Sequence, residues 1–337
     1  MSAVPRQIKA KMRSRNNFVA DQQSVWFPFE KLQKRSGGDS LLELEGIYSS
    51  TFPRDTSLHI MPIGGRSRAR KEFKVSLEPE DEEFEQIVAG ALADQHHDYA
   101  YQLAHEVCDF FHHCGARITE YGKAVYEIVS LNEADTGKLR SFELVPIDVR
   151  TLEKRHGKIF QIVPLEWAEK HELPTNIPLQ NDRLVIFSPP PTCSNLDEVN
   201  AALAQLGSGR ILRMYSATRN RTNSFYDAKE HIRAEKLALA AATRTIGWTG
   251  GETLTEIFLE YYTLHRRLVF ERFVISLREA ILQTLNEMLD RVGPRFEVQS
   301  RLQISGLPTL EDVAAAMNEL CAGERTFNSI LDDFTLL

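Results

Sequence analysis

TRTIGWTGGETLTE, residues 243–256, separates two of the longest helical patterns in the chain and raises the question of what requires glycine there. The pattern before it, at 225–246, carries charge early and alanine late, which predicts a helix. The pattern after it predicts a helix from Thr253 to about Arg291, because apolar residues recur at three- and four-residue intervals. The glycine-rich break therefore decides how these two helices meet.

Three interpretations of the break follow from its residues. A phosphate-binding P-loop needs a lysine after its last glycine and a strand before its first, whereas Glu252 follows here and the preceding pattern is helical. The second interpretation is a turn between antiparallel helices, with Trp248 as a buried apolar plug. The third is a mobile loop that faces a cavity, which the glycine content permits.

Composition restricts the classes of protein that the chain can belong to. With 337 residues, 42% of them hydrophobic, it can form two or three packed units without disulfide staples. A formal net charge of −7 argues against a general nucleic-acid coating protein. The four cysteines form no CxxC pair, and no stretch is apolar over a transmembrane length. We therefore expect a protein of a reducing compartment, the cytoplasm, with no membrane contact.

The middle of the chain predicts an α+β unit. An amphipathic helical pattern runs from Asp81 to Cys114 and is expected to stop at Gly115. Four strand-like runs come next and suggest one antiparallel meander, which the prolines after Ser188 end; the runs lie at 116–130, 140–149, 158–164 and 182–188.

Shorter elements complete the pattern. A helix is expected from Asn195, as N-cap, to Gly207, and a strand-like run follows the long helix at 295–304. A final helix is expected to begin after Thr309, an N-cap, and to stop at Gly323.

Residues 1–74 predict an extended basic N-terminal arm of irregular structure. Such an arm is either a solvated, mobile terminus or a segment that contacts nucleic acid or a neighbouring subunit. Its basic residues are Arg6, Lys9, Lys11, Arg13, Arg15, Arg66, Arg68 and Arg70.

One helix face carries side chains that can bind metal. His105, Cys108 and His112 follow one another at i, i+3 and i+7, so they can converge on one face. A single helix rarely completes a zinc site, and the HExxH pattern is absent. A polar flank beside buried aromatic residues is the other interpretation. The metal interpretation would make the chain a metal-dependent or nucleic-acid-modifying enzyme on the α+β unit.

The order of these elements from about residue 95 to 291 resembles the portal proteins of tailed bacteriophages. EYGKAVYEIV is similar to the glycine-aromatic strand of that family, and FELVPIDVRTLEKRHGKIFQIVP to its hairpin. FYDAKEHIRAEKLALAAATRTIGW is similar to the helix that enters the family's tunnel loop, and YYTLHRRLVFERFVISLREAILQTLNEML to the helix after it. The chain departs from the family in its IGWTGG, where a valine-proline pair is usual, and in being short for a portal.

The resemblance implies an α+β fold with a portal-like division of the chain: an α/β wing, stem helices, a small clip and a helical crown. The implied segments are an arm at 1–74, a wing at 75–191, stem helices at 192–253, a clip at 207–224, a tunnel loop at 247–253 and a crown with its tail at 254–337. The loop would line a DNA channel through Gly247, Trp248, Thr249, Gly250 and Gly251.

The resemblance also implies a structural role in the virion rather than catalysis, with no cofactor. Members form a ring, commonly a dodecamer, at one capsid vertex, through which double-stranded DNA is packaged and ejected. The implied partners are the major capsid protein, the terminase large subunit and a neck or adaptor protein, met in the host cytoplasm during assembly. The clip arginines either dock such a partner or belong to a solvated loop; they are Arg210, Arg213, Arg219 and Arg221. A non-pore adaptor protein is a further alternative.

Overall fold

The computed structural model describes residues 18–25, 42–67, 70–93, 101–193, 195–207, 228–250 and 259–334. The helices in these ranges are α1 (Leu42–Ile60), α2 (Glu82–Leu92), α3 (Leu103–Tyr121), α4 (Leu165–His171), α5 (Leu196–Gly207), α6 (Ala228–Ala242), α7 (Glu260–Val292), α8 (Leu310–Ala322) and α9 (Phe327–Asp332). The strands are β1 (Phe18–Ala20), β2 (Lys74–Glu78), β3 (Ala124–Glu133), β4 (Leu139–Ile147), β5 (Leu152–Arg155), β6 (Lys158–Ile162), β7 (Asn176–Leu179), β8 (Leu184–Phe187) and β9 (Arg301–Ser305). This mixture confirms the predicted α+β class.

Strand β3 is the centre of the main sheet. It pairs antiparallel with β4 along one side, and on the other side with β1 near its C-terminal end and with β8 near its N-terminal end. Its first eight residues are buried, so both faces of the strand are covered. Tyr126 and Ile128 pack into the main hydrophobic core with the helices, whereas Val125 packs into a second cluster beneath the smaller sheet.

The long helix α7 connects the cores. Its middle and C-terminal parts bury Phe273, Leu277 and Ile281 in the main core. Its N-terminal part buries Leu264 and Leu268 in a third cluster, together with α8 and α9. A helix of 33 residues therefore belongs to two packing units at once.

The structure corrects the predicted single meander. Strands β5, β6 and β7 form a separate three-stranded sheet, and β8 returns to pair with β3. The reason is that β3 is buried on both faces, so its second face needs a cover of its own. Ile177 and Leu179 of β7 supply part of that cover.

The structure also corrects the irregular arm predicted for residues 1–74. Residues 42–60 form α1, a 19-residue helix in which Phe52 and Ile60 are fully buried. Pro53 lies inside the helix, where proline removes a backbone donor and normally argues against helix. Most of the stability of a helix in a protein comes from packing of one face against other elements. Helix α1 packs Phe52 and Ile60 into the main core.

Gly115 does not stop the helical pattern, contrary to the prediction. The pattern divides into α2 and α3, and α3 continues to Tyr121, where Gly122 caps it with φ +73°. A Cβ on Gly115 would lie 3.0 Å from Cδ1 of Ile60, so this glycine lets α1 pack closely against α3.

Two predicted helices are present. Helix α5 begins after Asn195, as predicted, but it includes Gly207, which was predicted to stop it, and the residues that follow lie outside the described ranges. Helix α8 begins after Thr309, whose hydroxyl accepts the N–H of Asp312 while the Asp312 carboxylate accepts the N–H of Thr309. Gly323 ends α8 with φ +70°, as expected for a glycine after a helix.

Candidate functional site

The break that opened the sequence analysis forms a compact turn at residues 243–250, called here the glycine turn. Its first residue, Thr243, is fully buried, and its hydroxyl lies 2.6 Å from the carbonyl oxygen of Trp248. The N–H of Gly247 donates to the carbonyl of Thr243 at 2.8 Å. These short-range bonds close the chain on itself directly after α6.

Trp248 is the plug predicted by the buried-turn interpretation. Its side chain is 2% exposed, and its ring packs 5.3 Å, centroid to centroid, from that of Phe52. The indole N–H donates to Oδ2 of Asp55 at 2.9 Å. Because buried Trp requires a partner for this N–H, Asp55 anchors the turn to α1 as well as satisfying the ring.

Arg266 of α7 holds the turn from the opposite side. Its Nη1 donates to the carbonyl of Ala240 at 3.0 Å, and its Nη2 lies 3.0 Å from the carbonyl of Trp248 and 2.8 Å from Oγ1 of Thr243. Burial lowers the pKa of the guanidinium. Arg266 thereby supplies a donor to three acceptors at the end of α6, where helix carbonyls lack partners within the helix.

Gly247 answers the question of why glycine is needed. It has φ +74°, a conformation that side chains other than glycine adopt at a cost. A Cβ there would also lie 2.6 Å from the backbone nitrogen of Phe270 and closer still to the carbonyl oxygen of Arg266. The glycine therefore allows the turn to lie against the backbone of α7.

These contacts exclude two of the five residues predicted to line a channel. Gly247 and Trp248 are buried inside the chain, so they cannot line a channel without leaving the core, and that part of the prediction is corrected. Thr249 and Gly250 are half-buried at the end of the turn. Gly251 lies outside the described residues.

A cluster of buried charges lies on α7 beside the glycine turn. Glu271 is 4% exposed and forms an ion pair with Arg267 at 2.7 Å; burial raises its pKa. Burial also lowers the pKa of Arg278 to about 10, and this side chain donates to the carbonyl of Pro308. His59 of α1 packs edge-on against Phe270, and burial, with Arg267 nearby, lowers its pKa to about 4.

The three residues of the predicted metal face have other partners. His112 Nε2 lies 2.9 Å from the carbonyl oxygen of Met61, and His105 Nε2 lies 3.5 Å from Oδ2 of Asp109. Cys108 is fully buried, which raises the pKa of its thiol to about 12. In the part of the chain that the structure describes, no three His, Cys, Asp or Glu side chains are placed to hold a metal ion.

Two of the predicted basic residues, Arg66 and Arg70, lie within the described ranges. The clip residues Arg210, Arg213, Arg219 and Arg221 lie outside the described residues, as do Arg6, Lys9, Lys11, Arg13, Arg15 and Arg68. Arg66 is exposed just after a short 3-10 turn, and Arg70 is half-buried.

We expect Gly247→Ala to lower the free energy of unfolding by roughly 2 to 4 kcal/mol, because left-handed alanine is strained and its Cβ would overlap the backbone of α7. Gly137 is the matched control, with φ +68° and nothing within 4 Å of an added Cβ. Its alanine variant should cost only about 1 to 2 kcal/mol. Urea unfolding compares the two; equal losses would contradict the close packing.

We expect acid to destabilise the protein through His59. The pKa of this histidine is lowered from 6.5 to about 4 in the folded chain, so below pH 6.5 the unfolded chain binds a proton that the folded chain excludes. Stability should therefore fall as the pH drops from about 6.5 to about 4. His59→Gln should flatten part of this fall in urea unfolding measured at several pH values; an unchanged slope would contradict the assignment.

None of the helices in the described ranges combines the length and apolar character that crossing a membrane requires. No protein-family model and no curated protein matches the sequence.

Two of the solved structures that are similar to the chain are described here by their identity and coverage. One is an HK97-family phage portal protein from Corynebacterium diphtheriae, at 10% identity and a TM-score of 0.40, covering 82% of this chain and 95% of the other. The other is a chain of the virion of a native gene transfer agent particle, at 12% identity and a TM-score of 0.43, covering 86% of this chain and 89% of the other.

Proposed function

We propose that the chain is the subunit of a phage portal ring, through which double-stranded DNA enters and leaves a capsid. The observation that carries the proposal is the order of its elements. An α+β unit from β3 to β8 is followed by α5, then α6, then the glycine turn, then the long helix α7. This is the order of wing, stem, tunnel loop and crown that the sequence resemblance implies.

Exposed apolar side chains support assembly of several copies. Ile232 and Leu237 of α6 are 49% and 41% exposed, and Leu259 and Tyr262 at the start of α7 are 73% and 53% exposed. They flank the two segments assigned to the clip and the tunnel loop. We assign these side chains to contacts between copies, and a head-to-tail contact of fixed rotation closes into a ring.

The charge of the chain fits passage of DNA rather than tight binding. Each cation that contacts a phosphate strengthens binding, so a channel with many such contacts would retard the DNA. An acidic subunit, with net charge −7, avoids this. Local cations are then expected at partner contacts, for which the clip arginines and the basic arm are our candidates.

The structure of the glycine turn refines the proposed tunnel loop. In our proposal the loop proper begins at Thr249, while Gly247 and Trp248 form its fixed root. The root is held by Asp55 on α1 and by Arg266 on α7, so the loop starts from a rigid point. Terminase, the major capsid protein and a neck protein are the proposed partners of the ring, with the virion as its location.

The first experiment measures the mass of the purified, untagged chain by native mass spectrometry, with class averages from electron microscopy. We expect a closed ring, near twelve subunits, with a central hole. A chain that stays monomeric at high concentration would overturn the proposal. Metal analysis of the same sample tests the enzyme alternative, since stoichiometric zinc or manganese would favour it.

A second experiment tests the loop. Thr249→Arg adds a cation where we place the channel, so the assembled ring should retain linear double-stranded DNA more strongly, and the retention should fall with salt. Thr136→Arg adds the same charge at an exposed hairpin turn and should have no such effect. Electrophoretic mobility shifts at two salt concentrations compare the variants; equal retention would contradict the placement of the loop.

A further inference from the structure

Residues 18–25 lie in a groove made by residues more than a hundred positions later in the chain. Strand β1 pairs antiparallel with the end of β3, with Val19 opposite Asn132. The next residue, Asp21, accepts the N–H of Ser130 on its carboxylate at 2.6 Å and donates its own N–H to the carbonyl of Ser130 at 3.3 Å. The chain then leaves the strand and continues across the sheet.

Buried Glu127 of β3 binds the backbone of the segment. Its side chain is 1% exposed, and its two oxygens accept the N–H groups of Gln23 and Ser24, each at 2.8 Å. Arg183 connects this contact to the segment's own carboxylate, because its Nη2 lies 2.7 Å from Oδ1 of Asp21 and 3.2 Å from Oε1 of Glu127.

Buried Gln161 of β6 binds the next residue. It is fully buried, its Oε1 accepts the N–H of Val25 and its Nε2 donates to the carbonyl of Val25, both at 2.7 Å. We call Glu127, Gln161 and Arg183 together the acceptor groove. Apart from Asp21, the groups that these three side chains bind in residues 18–25 are backbone groups.

The acceptor groove requires an occupant. A buried donor or acceptor left without a partner costs about 1 to 3 kcal/mol, and more for a charged group. The segment itself contributes little to the apolar cores: Val25 belongs to the second cluster, while Val19 is 54% exposed. The groove is therefore a polar site built for an extended segment, and its contacts would be the same for a segment from another copy.

We propose that, in the assembled ring, the acceptor groove of each copy holds residues 18–25 of a neighbouring copy; this rests on the proposed function. The chain between Val25 and Leu42 can span at most about 60 Å. A globular chain of this length has a radius of gyration of about 20 Å, so a neighbour lies within reach. Exchange of an identical element between copies costs little, and a closed ring leaves no groove empty. Because the ring holds neighbouring copies together, the effective concentration of a neighbour's groove around each segment is high.

Cysteines at Val19 and Asn132 test this in the full-length chain. Opposite residues of an antiparallel pair have Cα atoms about 4.5 to 5.5 Å apart, within the range of a disulfide. Cys321, the exposed native cysteine, is replaced by serine to avoid competing bonds. After oxidation of assembled protein, we expect most of the chains to run as a ladder of covalent multimers on a non-reducing gel.

Two controls accompany this variant. Arg155→Cys with Lys158→Cys places a pair across the tight β5–β6 hairpin, where the disulfide forms within one chain, so this variant should run as a monomer. Adding Asp21→Ala to the Val19 and Asn132 cysteines removes the carboxylate that Arg183 and Ser130 bind, and should lower the yield of multimers severalfold.

Native mass measured on the same samples distinguishes failure of the segment exchange from failure of the portal proposal. Rings with the disulfide only within chains would overturn the exchange and leave the portal proposal standing. Multimer ladders without closed rings would support the exchange and overturn the ring. Monomers with the disulfide within chains would overturn both. Absence of any disulfide at this pair would overturn the exchange, because Val19 would not lie opposite Asn132.

Discussion

The guanidinium of Arg266 is the interaction on which the arrangement of helices depends. It binds the carbonyl of Ala240 near the end of α6 and the carbonyl of Trp248 in the turn that follows, and so it fixes the point at which the chain leaves α6 relative to α7. The turn places Trp248 in the core formed with α1, where Asp55 takes its N–H. The consecutive helices α6 and α7 thus meet α1, which lies far earlier in the sequence, at one polar cluster.

Much of the fold could be predicted from local pattern. The capping residues Thr309 and Gly323 mark α8 because cap chemistry involves only neighbouring residues. The plug role of Trp248 followed from its apolar character in a turn. In contrast, α1 was missed because Pro53 and an irregular apolar pattern weigh against helix locally, and its stability comes from burial against elements far along the chain.

The polar part of the site could not be predicted for the same reason. Asp55 and Trp248 are separated by 193 residues, and nothing near Asp55 indicates that its carboxylate accepts an indole N–H. Gly115 was predicted to end a helix, but it lies inside α3, where it permits close packing against α1. The neighbouring sequence does not distinguish a glycine with this role from one that ends a helix. Only the tertiary neighbours distinguish these roles.

The pairing of β2 with β9 has a consequence for synthesis of the chain. Lys74 lies opposite Ser305 and Glu78 opposite Arg301, so β2 pairs with a strand that is made much later in translation. At about 5 to 20 residues per second, the ribosome needs roughly 10 to 45 s to make the intervening chain. Until then the edge of β2 lacks this partner, so a nascent or prematurely terminated chain presents an unpaired strand to chaperones and proteases.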